Sequence, residues 1–299
     1  MNAALPPGTV DAHAHVFRPA AVSPRGTDEL APADRDAPAE DLLARMDDAG
    51  VAAAVLVPLD GSDDYVAEVL DRHPGRFAGL AVATPAELGT AGVEPVAALR
   101  SRRGRWPFGA LRTSWLGAPG RSIADSPFLP VLRVLAQEQL PLWSYLPPDQ
   151  LPLLEELVGL LPHLPVVLNH LGFCPHDMWI DEHRRPRFDD AFPEPLVQRL
   201  LRLSEAPGVH VLVSGQYATS SAPPPYTDLF PVTRRLAAAY GADRLMWGSD
   251  HPWPSEVTGY RELTGLVAAA LPDLDPVATA RVMGGTARAL FPGLADPAA

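Results

Sequence analysis

Three short stretches of this 299-residue chain carry side chains able to do hydrolytic chemistry. Residues 10–16 (VDAHAHV) read as a β-strand, whose side chains alternate between faces, so His13 and His15 share one face with Asp11 beside them. Residues 166–172 (VVLNHLG) read as a buried strand ending at His170. Residues 245–252 (LMWGSDHP) read as a third buried strand whose exit places Asp250 at the rim. Each has an ordinary explanation taken singly: a structurally satisfied histidine pair, a core histidine, an Asx-turn aspartate. Together they offer a carboxylate able to act as a general base, and imidazoles able to polarise a carbonyl or hold a divalent cation.

Bringing these segments together requires a scaffold that delivers strand ends to one place. Apolar runs at 9–15, 52–57, 77–82, 108–112, 140–145, 165–170, 209–214 and 244–248 read as strands, separated by segments of helical period. The first helix is expected at 40–49 with Gly50 as its left-handed stop. Ser126 is expected to cap another, with Pro127 at its first position; two more follow at 151–161 and 229–239. Helix-to-strand joints are short, whereas the long irregular segments (17–38, 113–125, 171–193, 215–228, 249–258) follow strands. This asymmetry predicts an α/β fold, a single (β/α)₈ TIM barrel over residues 1–299, with its chemistry in long loops at the carboxyl ends of the strands. A doubly wound open sheet is the alternative, but no glycine-rich nucleotide fingerprint follows any strand.

Composition narrows the chemistry. The formal net charge of −12 argues against nucleic acid and anionic membrane surfaces as partners. A small-molecule substrate is expected, and the acidic, proline-rich surface shows no clear stripe for a homo-oligomer interface. The chain holds no lysine, which excludes a Schiff base or a carbamylated lysine bridging two metals. One cysteine, Cys174, rules out an internal disulfide. No apolar run is long enough to span a membrane and the first ten residues lack signal-peptide character, so a cytoplasmic location is expected.

The motifs DAHAHVF, VLNHLG, MWGSDHP and GGTARALF, in that order, resemble the amidohydrolase superfamily and its amidohydrolase 2 group. The segment VHVLVSGQYATS at 209–220 and LRTSW around Arg112 are similar to the lactonase branch, which includes 2-pyrone-4,6-dicarboxylate lactonase and sulfomuconolactone hydrolase. Superfamily members with firmly bound metal add a histidine from the fifth strand, and none stands in 140–145 here. The resemblance therefore implies no obligatory cofactor, with a mononuclear zinc on His13, His15 and Asp250 as the alternative.

The function so implied is hydrolysis of a lactone of a small carboxylated substrate. Asp250 would be the general base on water, with His13, His15 and His170 stabilising the oxyanion and Asp11 orienting an imidazole. Arg112 would pair with a substrate carboxylate, while Trp143, Tyr145, Tyr217, Ser220, Arg121 and His251 are expected substrate contacts, with Gln216, Trp115, Trp253 and Trp179 as further rim or wall candidates. An arginine expected directly after Tyr217 in dicarboxylate-binding members is replaced by Ala218. His176 and His183 are expected to face solvent, and His73, His163 and His210 to lie at the opposite end. Two alternatives differ in class: a metal-dependent non-oxidative decarboxylase, and a non-catalytic ligand-binding barrel.

Overall fold

A computed structural model describes residues 4–182 and 185–294. Parallel strands dominate: β1 (Val10–Ala14), β2 (Ala53–Leu56), β3 (Phe77–Gly79), β4 (Ala81–Val82), β5 (Leu111–Thr113), β6 (Leu142–Ser144) and β7 (Val166–Leu168). Two short strands, β8 (Trp179–Ile180) and β9 (Pro186–Arg187), form an antiparallel hairpin before β10 (Val209–Val213) and β11 (Leu245–Trp247). One sheet runs β1-β2-β3 and the other β11-β10-β7-β6-β5-β4, every pair in them parallel.

The two sheets approach each other at both edges. The run expected at 77–82 is broken at Leu80, so that β3 pairs with β2 while β4 pairs with β5. At the other edge the Asp250 amide donates to the His13 carbonyl at 2.8 Å, and the His15 amide to the His251 carbonyl at 2.8 Å. An inner apolar cluster draws on successive strand segments through Ala12, Val55, Leu80, Trp143, Val167 and Met246, with Phe291, just past the helix Thr286–Leu290, among them. An outer, larger cluster packs the helices on the strands.

Helices fill the connections: α1 (Ala39–Ala49), α2 (Asp64–Arg72), α3 (Pro95–Arg105), α4 (Leu129–Glu138), α5 (Leu151–Leu160), α6 (Glu194–Leu203), α7 (Gln216–Thr219), α8 (Phe230–Tyr240), α9 (Trp253–Val257) and α10 (Tyr260–Leu263). Gly50 ends α1 at φ +81°, as expected of a glycine there. The helix expected from Pro127 starts later, at Leu129. The Ser126 hydroxyl instead donates to the Leu116 carbonyl and accepts from the Phe128 amide, tying the preceding loop rather than capping the helix. Among the described residues no helix is long and apolar enough to cross a membrane.

The register of β1 against β2 shifts between Asp11 and Ala14. Its effect is visible in the packing: Val10 and Ala12 join the inner cluster, whereas Ala14 and Val16 join the outer one. Strict alternation would keep all four on one face. A bulge of this kind re-aims side chains, and here it separates Asp11 from the two histidines.

Candidate active site

His13 and His15 come from the end of β1, His170 lies just past β7, and Asp250 follows β11, so three distant segments meet at the carboxyl ends of parallel strands. The Nε2 atoms of His13 and His15 are 3.1 Å apart. They stand 3.4 and 3.6 Å from Asp250 Oδ1, while His170 Nε2 faces Oδ2 of the same carboxylate at 3.9 Å. All four residues are buried. His170 and Asp250 are held at φ +47° and +60°, conformations that cost of order 1–3 kcal/mol each and concentrate at functional sites.

Burial pushes the imidazoles down: His13 falls well below its ordinary range and His170 to about 4, against the opposing pull of Asp250. Burial alone would raise the Asp250 carboxyl, but His170, His13 and His15 hold it well below the usual carboxylate range, so it is ionised at neutral pH. Facing that carboxylate, a neutral His170 must carry its proton on Nε2. Nδ1 is then an acceptor, and the Ser214 hydroxyl at 2.8 Å donates to it. Gly215 leaves room for this ring, since a Cβ there would lie 2.6 Å from His170 Nδ1.

The donor set of His13, His15 and Asp250 fits one small divalent cation. Zinc bonds of about 2.0–2.2 Å in a tetrahedron place neighbouring donors ~3.4 Å apart, and the observed separations are 3.1, 3.4 and 3.6 Å. Neither Nδ1 atom of His13 or His15 has a hydrogen-bond partner among the described residues. Burying such groups for packing alone is costly.

Asp11 does not touch an imidazole, contrary to expectation. Its carboxylate accepts from the Ser249 amide (2.8 Å) and hydroxyl and from the Tyr260 hydroxyl of α10 (2.8 Å), fixing the turn that presents Asp250. Burial raises Asp11 to about 6 despite these donors.

A cavity of about 260 Å³ opens above the cluster, lined by His15, His170, Asp250, Arg112, Tyr145 and Tyr217 and, beyond them, by apolar loop residues. The expected contacts Arg112, Tyr145 and Tyr217 are therefore brought together, as is Trp253, whose ring lies 5.1 Å from that of His15. Others are placed elsewhere. Trp143 is wholly buried in the inner cluster, stacked on His13 at 6.0 Å with its indole N–H donating to Asn169, so it supports the floor instead of lining the cavity. The Ser220 hydroxyl donates to the Asp228 carboxylate and accepts from the Ala222 amide, bracing its own loop. Arg121 is 68% exposed and pairs with Asp125. His251 is buried with Nδ1 on Ser255, beneath the rim, because the strand-edge bridge to β1 fixes its backbone.

Trp115 packs on the outer cluster and Trp179 is exposed on the β8–β9 hairpin. Gln216 opens α7 and does not line the cavity. His176 is half-buried against Phe173 and Phe188, not solvent-facing, and His183 lies outside the described residues. Sequence reasoning missed Leu30, Phe173, Met178 and Phe188, apolar residues within the long post-strand loops, and Leu59 in the connection after β2.

Residues 10–293 match the amidohydrolase family model. The chain belongs to the amidohydrolase family. Among curated members it is 26% identical to 4-sulfomuconolactone hydrolase of Rhizobium radiobacter over 281 residues, covering 91% of this chain and 86% of that protein. Its fold matches a candidate 2-pyrone-4,6-dicarboxylic acid hydrolase from Pseudomonas putida at a TM-score of 0.74 and 24% identity, over 98% of this chain and 100% of the other. An amidohydrolase from Burkholderia multivorans with bound zinc superposes at a TM-score of 0.73 and 21% identity, over 95% and 99% of the two chains. The amidohydrolase scaffold accounts for where the chemistry sits: every candidate catalytic side chain lies at or just beyond a strand's carboxyl end.

Proposed function

We propose that the protein is a lactone hydrolase built on one eight-stranded parallel barrel. β3 and β4 count as one interrupted strand in this reading, and the hydrogen bonds between the turn after β11 and β1 close the ring. The observation that carries the hydrolase reading is the division of labour on one carboxylate. Oδ1 of Asp250 faces His13 and His15 while Oδ2 faces His170, and Asp250 and His170 both line the cavity.

Water above Oδ2 gives its proton to Asp250 as its oxygen attacks the lactone carbonyl carbon. The Nε2–H of His170 donates to the oxygen on which negative charge develops. The ring C–O bond then breaks, and the proton held by Asp250 passes to the departing ring oxygen, giving the open hydroxy acid or its keto tautomer. His13, His15 and Asp250 would hold a zinc-class cation, which supplies Lewis acidity and a more acidic water. Arg112 stays charged even though burial lowers it, and it seats a substrate carboxylate beside Tyr145.

The test is a panel of five- and six-membered lactones, with and without carboxylates, assayed for proton release, alongside aromatic acids assayed for carbon dioxide. Turnover of lactones is expected. Carbon dioxide release without lactone opening would replace this reading with a decarboxylase, and silence across the panel with ligand-dependent thermal stabilisation would replace it with a binding barrel.

A further inference from the structure

The cavity restricts which lactone fits, an inference that rests on the hydrolase reading. At about 260 Å³ it lies below the usual range for drug-sized ligands, so the substrate is one small ring with a modest substituent. Among the described lining residues Arg112 is the one cation, and its guanidinium makes no ion pair or hydrogen bond with any described residue, resting instead 5.0 Å over the Tyr145 ring. Tyr145 and Tyr217 also line the cavity, and neither hydroxyl makes a hydrogen bond with a described residue. One planar carboxylate satisfies this set of donors.

Among the described residues no second cation lines the cavity to meet another anion. Arg35 and Arg185 do not line this cavity, and each is already engaged, with Glu256 at 2.6 Å and Asp181 at 3.0 Å. Asp28 lines the mouth and would repel another carboxylate. The remaining wall is mainly apolar: Leu30 and Leu59, the Phe173–Phe188 pair with centroids 4.4 Å apart, Met178 and Trp253, with the Thr219 hydroxyl already donating to the Gly215 carbonyl. A carboxylate against that wall would be stripped of water with nothing in exchange, whereas an alkyl or aryl group would gain.

We infer that the substrate is a monoanionic lactone, its single carboxylate on Arg112 and an apolar substituent against the Phe173, Phe188 and Trp253 wall, and that dicarboxylated lactones are disfavoured.

A matched series of 2-pyrone-6-carboxylates bearing hydrogen, methyl, phenyl or a second carboxylate at position 4 tests this. The methyl and phenyl compounds should exceed the dicarboxylate at least tenfold in kcat/KM, and Arg112→Gln should lower kcat/KM for the monoanions mainly through KM. Ala218→Arg, which adds a cation to the cavity wall, should shift the ratio toward the dicarboxylate. Equal or better turnover of the dicarboxylate by the unaltered enzyme overturns the inference and leaves the hydrolase reading intact. If no pyrone is opened, the same four compounds are measured for binding by calorimetry. Tighter binding of the phenyl than of the dicarboxylated pyrone then sustains the ligand class, and the reverse order overturns it.

Discussion

Ser214 Oγ stands 2.8 Å from His170 Nδ1, and the opposite nitrogen of that ring faces Asp250. With the proton on Nε2 toward Asp250, the hydroxyl donates to Nδ1 and holds the ring in place. Ser214→Ala removes that constraint from a fully buried position. We expect kcat to fall by about tenfold with little change in KM, and a stability loss of about 1 kcal/mol in urea unfolding. Ser214→Thr, which keeps the hydroxyl, should recover part of the rate.

Asp250→Asn keeps size and shape but cannot take a proton. Lactone turnover should drop by about a thousandfold or more, with circular dichroism unchanged. Near-normal turnover would remove Asp250 from the base role.

Extended dialysis against a chelator, followed by elemental analysis, addresses the cation. The spacing of His13, His15 and Asp250 leads us to expect loss of activity and recovery on adding zinc. Full activity in a metal-free sample would instead support catalysis by imidazole hydrogen bonds and Arg112 alone, the expectation raised by the absence of a fifth-strand histidine.

Two glycines make a controlled pair. Gly50 and Gly215 have φ of +81° and +73°, but a Cβ at Gly50 meets nothing within 4 Å while one at Gly215 collides with the His170 ring. Each alanine variant should lose about 1 kcal/mol or more from backbone strain. Only Gly215→Ala should also lose activity, read as kcat at a temperature where both variants remain folded.

Burial pushes the Cys174 thiol up to about 12, above an ordinary thiol near 8.5. In the native protein the thiolate is thus scarce at mildly alkaline pH, and iodoacetamide should fail to label it. After unfolding in guanidinium the same reagent should label it fully. Because the folded state raises this group, its contribution to stability fades as pH climbs through the unfolded value toward the folded one.

How much of this was legible depends on where each residue sits. His13, His15, His170 and Asp250 stand at strand ends, where an apolar run stopping at a polar residue marks both the element and its exit. The inner aromatic Trp143 looked like a wall residue because it stands near a strand end, yet it lies in the inner cluster against His13. Ser220, Arg121 and His251 lie in loops, and loop direction is set by contacts such as Ser220 with Asp228, which no local pattern encodes. The apolar wall was missed for the same reason. Phe173 and Phe188 are distant neighbours in one long loop, and only its folding brings the two tilted rings together. The break at Leu80 and the shifted register of β1 were likewise hidden, since each depends on a neighbouring strand.

That shifted register has a mechanical consequence. A strand of five residues grips two layers at once: Asp11 holds Ser249 and Tyr260 behind the sheet, and His13 turns the other way to face Asp250 at 3.4 Å. Tyr260 of α10 and the turn that leads into Asp250 are thereby tied to one shared carboxylate.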